Sequence, residues 1–283
     1  MNRRTLLQRA GTAAVLPSLA STVTRLVRGS GQGSPLAGGD PRSGDPSSTT
    51  TLASGTEHAT PVYVNDAEAD GPTALVVGGM HGDERPGYLA AERLRSRVPA
   101  AGTLVVLPRA NRVAIERGTR AGEGGDLNRQ FPAGSSPETG LADEIWDLVE
   151  RRDPDVVVDL HRSLGIYGRH HASVGQAVFP ADVGEAPTVA ADVVDVLNDD
   201  AVPWYMPLHE FERGRSLSGD RPMLVHKVAG DLERPGYLVE TTQFLVDTST
   251  QAEWLALAAT ALLERHGVEL APDDGASTTG GPA

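Results

Sequence analysis

Four short stretches place ligating, basic and proton-transferring side chains at the ends of apolar runs. In "VVGGMHGDERPG", His81 and Glu84 stand three residues apart behind a hydrophobic segment, with Gly78, Gly79 and Gly82 to let the backbone turn. An imidazole and a carboxylate at that spacing can converge on one cation, and a catalytic zinc takes three such ligands plus a water. The same pair can instead cap a helix that starts at Pro86. In "VVVDLHRS", His161 follows three valines and Asp159. It can supply a third ligand, its ring oriented by Asp159, or be an ordinary strand-end histidine. In "GYLVETTQF", Glu240 ends an apolar run. Partial burial there raises a carboxyl pKa towards neutrality and suits it to general acid–base work; the plain alternative is a surface glutamate. In "GDLNRQFP", Arg129 can fork onto a substrate carboxylate with help from Asn128. Upstream, Arg120 can stabilise charge on a tetrahedral intermediate. Both arginines can equally pair with surface acids. The chain has no cysteine, so any metal must be held by His, Asp or Glu.

These groups lie far apart along the chain, so a scaffold has to gather them. "PVYV", "TALVVGG", "GTLVVLP", "PDVVVDLH", "HASVGQAVFP", "PMLVHKVAG" and "GYLVETT" read as strands, several apolar enough to be buried on both faces. "GYLAAERLRSRV", "SPETGLADEIWDLVERR", "PTVAADVVDVLNDD" and "TQAEWLALAATALLERHG" have helical spacing. The second opens on a serine with Glu138 shortly after, and the last ends at Gly267. Apolar strands alternating with helices predict an α/β domain on a mixed, mostly parallel sheet flanked by helices. Sites in such sheets collect beyond the carboxyl ends of the strands, where His81, His161 and Glu240 fall.

The 283 residues divide by composition into four parts. Residues 1–28, "MNRRTLLQRAGTAAVLPSLAS" and onward, are expected to be a twin-arginine export signal, with an apolar run too short and weak to span a membrane. Residues 29–59, rich in Gly, Ser, Thr, Pro and Asp, are expected to be a disordered linker. Residues 60–268 are expected to form a single catalytic domain, and 269–283 a flexible tail. The net charge of −13 argues against a nucleic-acid partner, which needs a basic patch. Lys227 is the only lysine. An acidic, lysine-poor surface points to a salt-loving source, or to a genome that favours arginine codons. Oligomeric state is not legible in the sequence.

Taken together and in this order, "HGDERPG", "DLNRQFP", "DLH" and "VET" resemble the succinylglutamate desuccinylase/aspartoacylase family of the zinc carboxypeptidase clan, over roughly Leu75 to Gln243. The resemblance implies a zinc carboxypeptidase-like fold and one Zn²⁺ held by His81, Glu84 and His161. It implies Glu240 as the catalytic glutamate and Asn128–Arg129 as the substrate-holding pair. Arg120 matches the family's other site arginine, which lies nine residues after an asparagine as Arg120 does after Asn111. The implied activity is metal-assisted hydrolysis of an amide or ester in a small or short-peptide substrate bearing a carboxylate, such as an N-acyl amino acid. A carboxypeptidase acting on peptides is the nearest alternative, and a non-catalytic extracellular zinc- or ligand-binding protein the next. That family usually carries a C-terminal β domain that shapes the substrate site. Here the sequence runs only a short way past the helix expected over 250–266, so substrate identity does not transfer.

Overall fold

A computed structural model describes residues 45–170, 173–217 and 221–271. The expected signal, the linker up to residue 44 and the tail from residue 272 lie outside the described residues, whereas residues 269–271, expected in the flexible tail, are tied by backbone hydrogen bonds to 98–100 with Leu270 buried.

Among the described residues eight strands form one sheet: β1 (Ser48–Leu52), β2 (Thr60–Asp66), β3 (Thr73–Gly78), β4 (Thr103–Leu107), β5 (Val156–Ser163), β6 (Ala177–Pro180), β7 (Glu212–Arg213) and β8 (Gly236–Thr242). Their order is β1-β2-β4-β3-β5-β8-β6-β7. The central pairs β4–β3, β3–β5 and β5–β8 are parallel, whereas β1–β2, β2–β4 and β6–β8 are antiparallel. Six α-helices among the described residues flank it: α1 (Arg85–Leu94), α2 (Arg112–Arg117), α3 (Gly140–Arg152), α4 (Ala186–Asp200), α5 (Leu224–Leu232) and α6 (Thr248–Arg265). The two-residue strand period assigns the cores. On β3, Ala74 and Val76 join α1, α4 and α6 on one face, while Leu75 and Val77 join α3 and α5 on the other. The α/β architecture with a mixed sheet is the one expected. Among the described residues no helix is long and apolar enough to cross a membrane.

Three local expectations are corrected. Residues 48–52, placed in the linker, form β1, an edge strand whose residues are all exposed except Leu52. It is held by its ladder to β2 rather than by apolar burial, and its threonine run favours a strand where overall composition suggested none. The ordered fold thus begins before residue 60. "PMLVHKVAG" is not a strand but the start of α5, with Leu224 and Val228 one turn apart in the core. A short apolar run does not distinguish the two by periodicity. Finally, α3 is capped by Thr139, whose side chain accepts from the Ala142 N–H, and not by the earlier serine.

The turn after β3 is the tightest passage near the sheet's carboxyl edge. Gly79 has φ +75°, and a Cβ at Gly82 would lie 2.0 Å from the Ala114 carbonyl carbon. A Cβ at Gly87 would lie 2.3 Å from the Leu160 carbonyl oxygen, so α1 backs directly onto β5. Gly82→Ala is expected to cost about 3 kcal/mol of stability by forcing backbone apart, read as a lowered urea midpoint. An unchanged midpoint would mean the turn relaxes freely.

Candidate active site

Each chemical side chain sits where an element ends. His81 lies in the turn after β3, and Glu84 is the residue before α1. Glu84 makes no side-chain cap bond to the helix, so its carboxylate is free for other partners. His161 lies on β5 directly beside Glu240 on β8, in the same parallel register. Both point to the α3/α5 side, as do Asp159 and Leu238 two residues earlier on each strand.

The three expected ligands converge. His81 Nδ1 is 2.8 Å from Glu84 Oε1, His161 Nδ1 is 2.9 Å from Glu84 Oε2, and the two Nδ1 atoms are 3.2 Å apart. One ligand atom from each lies within 4.8 Å of the others, and all three residues are buried. Each ring's other nitrogen meets a carboxylate. His161 Nε2 is 2.9 Å from Asp159 Oδ2, and His81 Nε2 is 2.9 Å from Asp126 Oδ1. With a metal bound and Nε2–H donated outward, both Nδ1 lone pairs would face the ion, the arrangement that fixes the tautomer of metal-bound histidine. This donor set suits a divalent ion.

Electrostatics follow from that packing. Burial pushes the Glu84 carboxyl up, but the His161 charge and hydrogen bonds from both histidines more than offset this and hold it well below the usual range. Burial pushes His161 down, while Asp159 and Glu84 together raise it well above its ordinary value. Burial likewise raises Asp126, yet the hydrogen bond from His81 and the charges of His81, Arg120 and Arg129 leave it below the carboxylate range. Glu240 goes the other way. Burial first, and the Glu84 charge second, push its carboxyl up to about 8, with His161 and Arg120 opposing. Its Oε2 is buried and has no hydrogen-bond partner among the described residues.

The basic groups are brought to the same place but in different roles. Arg120 donates to Glu84 Oε1 (2.7 Å) and lies 3.3 Å from Asp126 Oδ2. Among the described residues Arg129 donates only to the Asn128 carbonyl (2.6 Å), leaving most of its fork unused. The Asn128 carboxamide is already committed. Its Nδ2 donates to Asp159 (3.0 Å) and its Oδ1 accepts from the Leu224 N–H (3.1 Å), so it braces the Asp159–His161 pair. Asp126 and Arg162 were not singled out in the sequence. Arg162 donates its backbone N–H to Glu84 Oε2 (3.0 Å) and its guanidinium to the Asp83 carbonyl (3.2 Å). Asp126 had a signal, being the acidic residue that caps the turn "LNR" through the Asn128 N–H; Arg162, exposed only through its contacts, had none. Among the tyrosines, Tyr167 lines the cavity, Tyr237 pairs with His266 (2.7 Å), and Tyr205 is exposed. Neither His209 nor His226 lines the cavity.

All seven sequence-selected residues border one cavity of about 540 Å³ at the carboxyl edge of the sheet. The family model described as the succinylglutamate desuccinylase/aspartoacylase catalytic domain matches residues 70–213 of the chain. The chain belongs to this family. The match contains His81, Glu84, Arg120, Asn128, Arg129 and His161; Glu240 lies beyond it. An N-alpha-acetyl-L-2,4-diaminobutyric acid deacetylase of Halomonas elongata is 40% identical over 100 residues, 32% of this chain and 29% of that protein. The product-bound cell shape determinant Csd4 of Helicobacter pylori superposes with a TM-score of 0.65 at 20% identity, covering 75% of this chain and 56% of that one. Another structure of Csd4 describes it as a D,L-carboxypeptidase. A metallopeptidase-like protein of Shewanella baltica has a TM-score of 0.61 at 18% identity, covering 77% and 86%. The chain thus spans under a third of the curated relative and about half of Csd4.

The carboxylate behind His81 gives a direct test. Asp126→Ala removes the acceptor for His81 Nε2 and is expected to weaken metal affinity about 10- to 100-fold, measured by competition with a chromophoric chelator. Affinity equal to wild type would show that Asp126 does not orient the ring.

Proposed function

We propose that this protein is a zinc-dependent deacylase that hydrolyses the amide or ester bond of a small carboxylate-bearing substrate, such as an N-acyl amino acid. One observation carries the reading. Two Nδ1 atoms and a carboxylate, each histidine backed by its own acid, converge beside a half-buried glutamate whose buried Oε2 has no hydrogen-bond partner among the described residues. Zinc suits two imidazoles and one carboxylate, and when bound supplies polarisation of the substrate carbonyl and a water whose pKa is lowered to about 7. Glu240, beside His161, takes a proton from the attacking water and delivers one to the leaving group. Arg120, already facing the ligand carboxylate, offsets charge that develops on the carbonyl oxygen. Arg129, with its fork largely unused, anchors the substrate carboxylate and sets its register. Asn128 acts through Asp159 and His161 rather than by touching substrate.

The deacetylase relative favours N-acyl amino acids over peptides, since its identity exceeds that of the solved structures. The paired Arg3 and Arg4 followed by Leu6 and Leu7 support export by a twin-arginine route, and the acidic, lysine-poor composition supports a high-salt setting. The test is metal content by elemental analysis, followed by side-by-side assay of N-acyl amino acids and of peptides with free C-termini. One zinc per chain with faster turnover of the N-acyl amino acids is expected. Turnover of peptides alone would replace the deacylase reading by a carboxypeptidase. A metal-loaded protein inert to both would be a binding protein.

A further inference from the structure

Lys227, the one lysine in the sequence, stands apart from the ligand cluster and does not border the active-site cavity. It lies in the first turn of α5 and is 2% exposed. Its ammonium rests 4.4 Å from the centroid of the Trp146 ring. All three N–H donors are used, on the Pro132 carbonyl (3.1 Å), the Ser135 carbonyl (2.6 Å) and Asp231 Oδ2 (2.6 Å). Three acceptors around one nitrogen suit a tetrahedral ammonium, whereas a planar guanidinium spreads its donors in one plane. That is a physical reason for a lysine at this place in a chain whose 25 basic residues are otherwise all arginine.

Those bonds belong to a seam that stitches residues 128–135 to residues 222–231. The Leu224 N–H donates to Asn128 Oδ1 (3.1 Å), the Phe131 N–H to the Pro222 carbonyl (2.9 Å), and the Gly134 N–H to Asp231 Oδ1 (2.6 Å). Lys227 grips two points of the first segment at once, and it also holds the aspartate that clasps Gly134. Arg129 sits within the stitched stretch. Among the described residues its side chain bonds only to the neighbouring Asn128 carbonyl, so no distant side chain aims its fork. Its direction into the cavity is set by the backbone that carries it, and that backbone is held from behind by Lys227.

We propose that Lys227 is a positioning residue for substrate binding: it fixes the backbone from residue 128 to residue 135 and so aims Arg129 at the substrate carboxylate. This rests on the deacylase reading, which gives Arg129 a carboxylate to hold. A displacement of about 1 Å spoils a bidentate fork. His81, Glu84, His161 and Glu240 stand on other elements, in the turn after β3, before α1, on β5 and on β8. Asn128 keeps its own bonds to Leu224 and Asp159. Loss of Lys227 therefore loosens the grip on the carboxylate and leaves the ligand cluster and the proton-transferring glutamate in place.

The test uses the full-length, metal-loaded protein and a ligand pair that cannot be hydrolysed, L-norleucine and 1-pentylamine, which differ only in the carboxylate. Calorimetry on the wild type is expected to show L-norleucine binding about 30-fold more tightly. In Lys227→Met, which keeps the length of the stem, that preference is expected to shrink about tenfold, while affinity for the amine and metal content per chain stay within about twofold. Asp231→Ala alters a side chain that is 20% exposed and serves where Lys227→Met does not fold. It is expected to shrink the preference about threefold. Hydrolysis of N-acetyl-L-norleucine is followed in parallel, with KM raised and kcat within about twofold in both variants. Equal binding of the pair by the wild type, a preference that the folded variants leave intact, or a loss of affinity for both ligands alike overturns the positioning role. A preference that depends on Lys227, with no hydrolysis, supports the positioning role and sinks the deacylase reading instead.

Discussion

Glu240→Gln is expected to lower kcat/KM by about 10³-fold while metal content stays at the wild-type level. The carboxamide keeps the size of the side chain but cannot take a proton. The ligand cluster does not depend on Glu240, since none of the close contacts among His81, Glu84 and His161 involves it. A variant with wild-type turnover would remove Glu240 as the base. The same substitution has a second, independent signature. In the metal-free protein the Glu240 carboxyl is pushed up to about 8 by burial and by the Glu84 charge. The folded state therefore binds this proton more tightly than the unfolded state, where a glutamate titrates at about 4.3. Wild-type stability from this group is greatest at low pH, falls as pH rises from about 4 to about 8, and is flat above. Between about pH 5 and about pH 9 the metal-free wild type is expected to lose roughly 3 kcal/mol more than Glu240→Gln, after allowance for partial exposure. Parallel denaturation profiles for the two proteins would show that the carboxyl is not buried as described.

Glu84→Ala is expected to abolish metal binding and activity together, with kcat/KM down by at least about 10⁴-fold. The reason is the number of partners this one carboxylate serves. It faces His81, His161, the Arg120 guanidinium and the Arg162 backbone N–H, at distances between 2.7 and 3.0 Å. Removing it takes away one of three ligands and leaves buried donors and a charge without a counterpart. The metal-free variant is therefore also expected to be less stable than metal-free wild type by about 3 kcal/mol. Elemental analysis and denaturant titration read the two effects separately. A Glu84→Ala protein that still carries one metal per chain would place the ion elsewhere.

How much of this was readable beforehand depended on whether a signal is local. His81 and His161 each follow an apolar run and Glu84 stands three residues past His81, but each had a plain structural alternative, and the set became legible only through its order with "DLNRQFP" and "VET" and the family resemblance that order carries. The α/β architecture was legible through alternating runs of β-strand and helix character. Asn128 was legible as a site residue, but its role was not. Its side chain is consumed by Asp159 and by the Leu224 N–H, from segments 31 and 96 residues away. Long-range hydrogen bonds leave no periodic trace. Asp126 was overlooked because its local part, capping a single turn, concealed the distant one, orienting His81 from 45 residues away. β1 was misread because a threonine-rich edge strand draws its support from a neighbour's backbone, which composition does not report.

The ligand atoms come from residue 81, in the turn after one central strand, and from residue 161, on the strand beside it. An ion seated between them is thus a staple across the middle of the sheet, closing some eighty residues of intervening polymer. Because the unfolded chain cannot offer this geometry, free metal at a thousand times its dissociation constant would add about 4 kcal/mol against unfolding. Proteases that act on transiently opened molecules would then degrade the protein fastest where metal is scarce. Its abundance would follow the supply of that ion.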